Sequence, residues 1–277
     1  MSILSVDDVV AGMTQRSQPL IVSKASIANQ LAGGLCSLWR ATGLPAQGAI
    51  PGAAAVCSKS LTGAFGWTNP GGSYEAHLAR AFLVSGNSGT DVTMVDRLAH
   101  MGGLSGALTT SQTVSVDVTG ATSNLVARVG GDYGDVQWFV EIYTDIGTTA
   151  RNLTVTYTRY PGGGGNTGQT VVVALGGASP ANRAGRMFPI IGNTTDKIQS
   201  IESVQLDLST GTVGSFGITA VRRLTSVSMG LANAGTVADW AQLGLPRVHD
   251  DACLAMVAVC GTTSSGTLQG GLQAIAG

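Results

Sequence analysis

The stretch LTVTYTRYPGGGGNTGQTVVVAL, Leu153 to Leu175, sets two runs of β-branched residues around a glycine cluster, and its reading decides the fold. Gly163, Gly165 and Gly168 satisfy the G-x-G-x-x-G spacing of a dinucleotide loop. That chemistry needs a strand before the glycines, a helix after them to receive the pyrophosphate, and an acid about 20 residues further on. Here QTVVVAL follows, which is strand-like, and no acid appears before Asp196. The expectation is a loop joining two antiparallel strands, with no nucleotide and no other cofactor.

Working outward, the same two-residue period recurs. Val114, Val116 and Val118 alternate with Ser115 and Asp117, and Val136, Trp138, Val140 and Ile142 alternate with Gln137, Glu141 and Tyr143. YEAHLARAFLV, TVVVAL, SVQLDLS, FGITAVRRL and CLAMVAVC are further strand candidates, separated by turn residues. Short strands at such spacing indicate a sandwich or barrel. The fold class expected is mainly β, a jelly-roll-like β-sandwich over residues 73–277. One short helix is expected near TVADWAQLG, capped by Thr236 and ended at Gly244.

Residues 1–72 read differently, as a helical segment and an extended arm. Ser5 is placed to cap a short helix with Asp7 and Asp8 in its first turn. Ile27, Leu31, Leu35 and Leu38 recur at helical spacing and predict a second helix from about Ser26 to Ala41, although Gly33 and Gly34 weaken it. Residues 43–72 are rich in Pro and Gly and long for a loop inside a compact domain, so they read as an arm lying over something. Leu44, Ile50, Val56, Leu61 and Phe65 are its candidate partner-binding residues.

Composition narrows the function. Charged residues are 11% of 277 and the net charge is −1, which leaves no electrostatic footprint for nucleic acid. Residues 41–58, 160–182 and 252–277 carry no Asp, Glu, Lys or Arg, yet Pro, Gly and polar residues interrupt them, so none reads as a membrane helix. Surface so poor in charge predicts association with copies of itself or with a partner. Asp7 and Asp8 stand where a signal peptide would be basic and apolar, so synthesis in a cytoplasm is expected. Cys36, Cys57, Cys253 and Cys260 are expected to be reduced, and Cys253 and Cys260, seven apart in one strand, to face opposite sides. Asn152 and Asn193 head glycosylation patterns and read as ordinary loop residues without a secretory route.

Catalytic patterns are missing from the sequence. There is no G-x-S-x-G elbow, no P-loop and no H-E-x-x-H. Of His77, His100 and His249, the last stands beside Asp250 and Asp251 and is the best metal or acid–base candidate, yet the cluster reads better as a polar turn before a strand. Aromatic residues are 5% and dispersed, few for a module that stacks sugars, and Trp138 reads as core. Arg222 and Arg223, inside a strand, should point to opposite faces. The expectation is no enzyme, no metal and no small-molecule substrate.

The segment VDRLAHMGGLSGALTTSQTV, Val95 to Val114, resembles structural proteins of tailed-phage virions. In those, an Asp-Arg-Leu stretch precedes a Gly-Leu-Ser turn and a Thr/Gln-Thr-Val strand; here these are Asp96, Arg97, Leu98, Gly103, Leu104, Ser105, Gln112, Thr113 and Val114. The resemblance implies a virion protein, head-associated and most like a capsid decoration (cement) protein. It would be assembled in the host bacterial cytoplasm, with the major capsid protein and its own copies, as a homotrimer, for partners. A tail or connector component and a carbohydrate-binding or depolymerising appendage are the alternatives. Asp96 and Arg97 read either as a charge-assisted pair that fixes the turn that follows or as part of a solvated loop.

Overall fold

The computed structural model describes residues 3–119, 125–131, 133–161, 165–176, 182–193 and 196–277. Gly163 of the glycine pattern, and Thr194 and Thr195 of the second glycosylation pattern, lie outside the described residues. In chain order the elements are α1 (Val6–Gln15), β1 (Ser17–Lys24), β2 (Leu35–Ser37), a 3-10 turn (Leu38–Arg40), β3 (Gly43–Leu44), β4 (Ala55–Val56), β5 (Ala76–Ser85), β6 (Thr90–Leu104) and β7 (Gln112–Asp117). They continue as α2 (Leu125–Val129), β8 (Val136–Thr144), β9 (Arg151–Tyr160), β10 (Gln169–Leu175), β11 (Met187–Ile190), β12 (Lys197–Leu206) and β13 (Ser215–Met229). The chain closes with β14 (Gly235–Ala238), α3 (Trp240–Leu243), β15 (Arg247–Val248), β16 (Leu254–Val259) and β17 (Leu268–Ala276).

The fold is mainly β, in three antiparallel sheets. A six-stranded sheet runs β14-β5-β17-β1-β3 with β15 also on β5; a four-stranded one runs β10-β9-β12-β7; a seven-stranded one runs β11-β8-β13-β6-β16-β2 with β4 also on β6. The largest sheet serves two sandwiches. One half of β6 and β13 supplies Val92, Met94, Val227 and Met229 to a core shared with Leu20, Leu78, Leu83 and Leu272 of the six-stranded sheet. The other half supplies Leu98, Phe216, Ile218 and Ala220 to a second core with Val114, Leu153, Tyr157 and Val204 of the four-stranded sheet. Trp138 lies in this second core, its indole N–H donating to the Ile198 carbonyl at 2.9 Å.

Residues Leu153 to Leu175 form the hairpin expected of them. β9 and β10 pair antiparallel from Tyr157↔Gln169 to Arg151↔Leu175. Gly165 and Gly168 in the connection take φ of +81° and +67°, the left-handed region that glycine enters without a steric cost. Strands also form at the expected positions of β5, β7, β8, β12, β13 and β16, with the buried/exposed alternation clear in β7 and lost in β8 and β16, where successive residues are buried. The first helix also forms where expected, and there Ser5 Oγ accepts from the Asp8 N–H and Asp8 Oδ2 accepts from the Ser5 N–H, a reciprocal cap.

Other expectations are corrected. No helix spans 26–41: Leu35–Ser37 is strand β2 on β16, and Leu35 and Leu38 pack into different apolar clusters. Gly33, at φ +76°, leaves the helical region, and the strand hydrogen bonds outweigh a helix carrying two glycines. The late helix starts after Asp239, whose carboxylate accepts from the Ala241 and Gln242 N–H groups, while Thr236 belongs to β14. Gly103 and Leu104 of the expected Gly-Leu-Ser turn are instead the last residues of a long strand, β6, with Asp96 and Arg97 near its middle.

The packing shows no boundary at Gly72. β1 is paired with β17 along its whole length, Ser17↔Ile275 to Lys24↔Leu268. Leu20, Val22, Leu38, Phe65 and Trp67 sit in the same apolar cluster as Leu78, Leu83 and Leu254. The buried Lys24 ammonium donates to the carbonyls of Ala41, Pro45 and Ala46, tying the start of the arm to β1. The arm then crosses the outer face of the seven-stranded sheet, where Trp39, Cys57 and Ala64 are buried with Val95, Phe139, Val221 and Val257.

Candidate functional site

Two adjoining features on the seven-stranded sheet concentrate the unusual chemistry: a charge network buried under the arm, and an open groove beside it. The network starts at Asp96 and Arg97. Neighbours in a strand point to opposite faces, so these two cannot pair with each other, contrary to one of the two expectations. Asp96 takes a two-pronged contact from Arg128 of α2, Nε to Oδ2 at 2.9 Å and Nη2 to Oδ1 at 2.6 Å, and also accepts from the Cys253 N–H. The Arg128 guanidinium donates further to the carbonyls of Cys57 and Arg97. Asp96 comes between Met94 of one core and Leu98 of the other, so the ion pair marks where the strand passes between them.

On the opposite face, Arg97 donates to Glu141 Oε2 at 2.6 Å, to the Tyr143 hydroxyl at 2.7 Å, to Thr219 Oγ1 at 3.0 Å and to His100 Nδ1 at 2.9 Å. Its guanidinium lies 4.6 Å from the Trp39 ring centroid, and Trp39 meets the His100 ring edge-on. Burial pushes the Glu141 carboxyl up, but the Arg97 charge and hydrogen bond outweigh it and hold the group below the usual carboxylate range. Burial likewise pushes the Cys57 thiol up, yet hydrogen bonds with Cys253 and His100, and the His100 and Arg97 charges, bring it below the usual thiol range. A thiol beside an imidazole is the pairing of a nucleophile and a base. Here both are buried, Cys57 at 0% and His100 at 4% exposure. The arrangement pins the arm, β6, β8 and β13 together.

The groove, about 640 Å³, lies on the same outer face. Val95, Phe139, Val221 and Val257 form its floor, and Asp91, Gln137, Arg223 and Ser228 its polar rim. Arg223 points to this side, with its Nη2 on Ser226, whereas Arg222 reaches the Arg247 carbonyl, so the pair does divide between faces. Tyr133 on the groove wall packs at 5.1 Å against Tyr160.

The arm residues divide. Ile50 and Leu61 pack on the buried cluster and Phe65 is inside a core, all within this chain, while Leu44 and Val56 remain exposed. Among the described residues no three His, Cys, Asp or Glu side chains are placed to hold a metal, and no helix is long and apolar enough to cross a membrane. All four cysteines are free and buried, and Cys253 and Cys260 fall in different clusters on the two sides of β16. The sequence reading missed Glu141, Arg128 and Trp39 as partners of Asp96 and Arg97. Glu141, a lone charge in the alternating run of β8, was the signal available.

His249 is half-buried beside Arg222 and Arg247. Burial first, then those two charges, pushes its imidazole down to about 4. A depressed histidine favours the neutral form in the fold, so its contribution is full above the unfolded value near 6.5 and is lost as pH falls towards 4. Discounted for its partial exposure, the loss should be about 1–2 kcal/mol. Urea midpoints at pH 7 and pH 4.5 should differ less in His249→Gln than in the parent protein.

No protein-family model and no curated protein matches this chain. Among solved structures it is similar to infectious bursal disease virus VP2 in a subviral particle, at 14% identity over 94% of this chain and 80% of that one, with a TM-score of 0.18. The T13 viral particle of the same virus gives 12% identity over 94% and 77%, with a TM-score of 0.19. At that score the likeness to a virus-particle protein is distant and carries no argument about this chain's fold or role.

Proposed function

We propose that this chain is a non-enzymatic structural protein of a tailed-phage virion, a decoration protein that stabilises the head by bridging capsid subunits. The observation that carries the reading is the outer face of the six-stranded sheet. Val237, Phe82, Gly271 and Ile21 stand in one register row across neighbouring strands. Their three side chains are 51%, 48% and 57% exposed, and Leu44, opposite Ser23 in the next row, is 54% exposed. Gly235 gives the Phe82 ring room to lie along the sheet, since a Cβ there would be 2.6 Å from the ring. A flat apolar row on a rigid sheet suits a surface-to-surface contact, at about 25 cal/mol per Å² buried. The resemblance of Val95 to Val114 to virion proteins and the low charge point the same way.

The partners in this reading are copies of the chain, as a trimer, and the major capsid protein. Ile21→Asp and Phe82→Asp should each cost about 1 kcal/mol of folding stability and leave the chain folded, because roughly half of each side chain is already in water. They should abolish co-sedimentation with decoration-free phage heads and reduce the mass seen by light scattering. Stable monomers of the parent protein that also ignore phage particles would remove the proposal. Tail or connector placement shares the same surface and is separated by which particle fraction binds. A carbohydrate-binding appendage is favoured by the Tyr133–Tyr160 pair beside the groove; glycan binding lost in Tyr160→Ala, with head binding absent, would select it.

A further inference from the structure

The four cysteines are not scattered in space. Cys253 precedes β16 and Cys260 follows it, so they mark the two ends of one strand. Each has a cysteine of the 34–57 segment beside it. At the first end, β4 and β16 both pair with β6 and meet end to end: the Cys57 N–H donates to the Leu98 carbonyl and the Arg97 N–H to the Cys253 carbonyl. Cys57 and Cys253 therefore abut on adjacent positions of one edge, lie in one buried cluster, and each perturbs the other's thiol. At the other end, Cys36 pairs in register with Ala258, and the Cys260 N–H donates to the Gly34 carbonyl. Cys36 and Cys260 thus lie diagonally on the same face, each perturbs the other's thiol, and both sit in the other core.

We propose that Cys57–Cys253 and Cys36–Cys260 are two latent disulfide sites, which on oxidation staple the amino-terminal segment to both ends of β16. The oxidant is a low-molecular-weight disulfide. The thiolate of one cysteine attacks a sulfur of that disulfide and expels one small thiolate. The second cysteine gives up its proton, attacks the protein sulfur of the mixed disulfide, and expels the other small thiolate. Each pair thereby loses two electrons and two protons, and the small disulfide becomes two thiols. The members of each pair differ in readiness. Cys57 and Cys260 are held below the usual thiol range by their partners, whereas Cys253 and Cys36 are pushed above it, so the first two are the attacking groups. Since all four are buried, exchange proceeds when the 34–57 segment lifts from the sheet. The bridges would close loops of roughly 200 residues, which removes much of the freedom of the unfolded chain.

The test uses the full chain, incubated with oxidised glutathione in sub-denaturing urea, then denatured, alkylated and digested without reductant. Expected are the loss of all alkylatable thiols and two linked peptide pairs, 57–253 and 36–260. The melting temperature should rise by roughly 10 °C per bridge. Cys57→Ser should keep the 36–260 link alone, and Cys36→Ser the 57–253 link alone. Retention of four alkylatable thiols in urea that demonstrably opens the segment would overturn the proposal. So would links joining 36 to 57 or 253 to 260, or a melting temperature that falls on cross-linking.

Discussion

Removal of residues 1–72 should leave a chain that does not fold. The reason is that β1 is an interior member of the six-stranded sheet, paired with β17 on one side and β3 on the other. Its loss exposes the whole edge of β17, including backbone groups that pair in the intact protein. It also takes Leu20, Val22, Leu38, Phe65 and Trp67 out of one core. Each fully buried side chain of this size contributes about 1.5–3 kcal/mol, so together they approach the roughly 5–15 kcal/mol that separates folded from unfolded domains. Fragment 73–277 should show no cooperative melting transition and no near-ultraviolet dichroism. A cooperative transition in that fragment, with the spectrum of the parent chain, would show that the six-stranded sheet closes without β1. The arm would then be the detachable clamp that its Pro/Gly-rich sequence suggests.

Arg97→Ala should destabilise the protein by about 3–5 kcal/mol, the range for removing one partner of a buried ion pair. The substitution leaves Glu141 buried without its cation, deprives Tyr143 and Thr219 of a donor, and takes away the stack on Trp39. For a chain of this size the melting temperature should fall by about 10 °C. The pair also has a pH signature. Because the Glu141 carboxyl is held below its ordinary value of 4.5, its contribution is complete above that pH and is lost as the solution is acidified further. Replacing both Arg97 and Glu141 by leucine should cost less than Arg97→Ala alone, since no charge is then left unpaired. Equal losses for the single and double variants, measured by urea unfolding at pH 7, would mean the network contributes shape alone. The Asp96–Arg128 pair, with its partner contributed by α2, offers the parallel comparison.

The sequence by itself determined the elements whose signal is local. One face buried and one face wetter gives a two-residue alternation, and that alternation located β7, β9 and β10; β8 was found by its alternating residue types although both its faces are covered. The β-branched run after Gly168 separated a hairpin from a nucleotide loop, and the Ser5–Asp8 spacing placed the first helix. Where both faces of a strand are covered, the alternation disappears. Residues 95–100 of β6 are all buried, between the sandwich cores on one side and the arm on the other, so Asp96 and Arg97 read as a mutual pair or a solvated loop before a turn instead of the middle of a strand. β1 and β17 were invisible for a related reason: Gly- or Pro-containing segments far apart in sequence become strands by pairing with each other. Tertiary structure alone decided the rest. The partners of Asp96 and Arg97 come from α2 and β8, and each cysteine flanking β16 lies beside one from the 34–57 segment. Such pairings depend on register between distant strands, which the burial of many other side chains fixes and which no local spacing encodes.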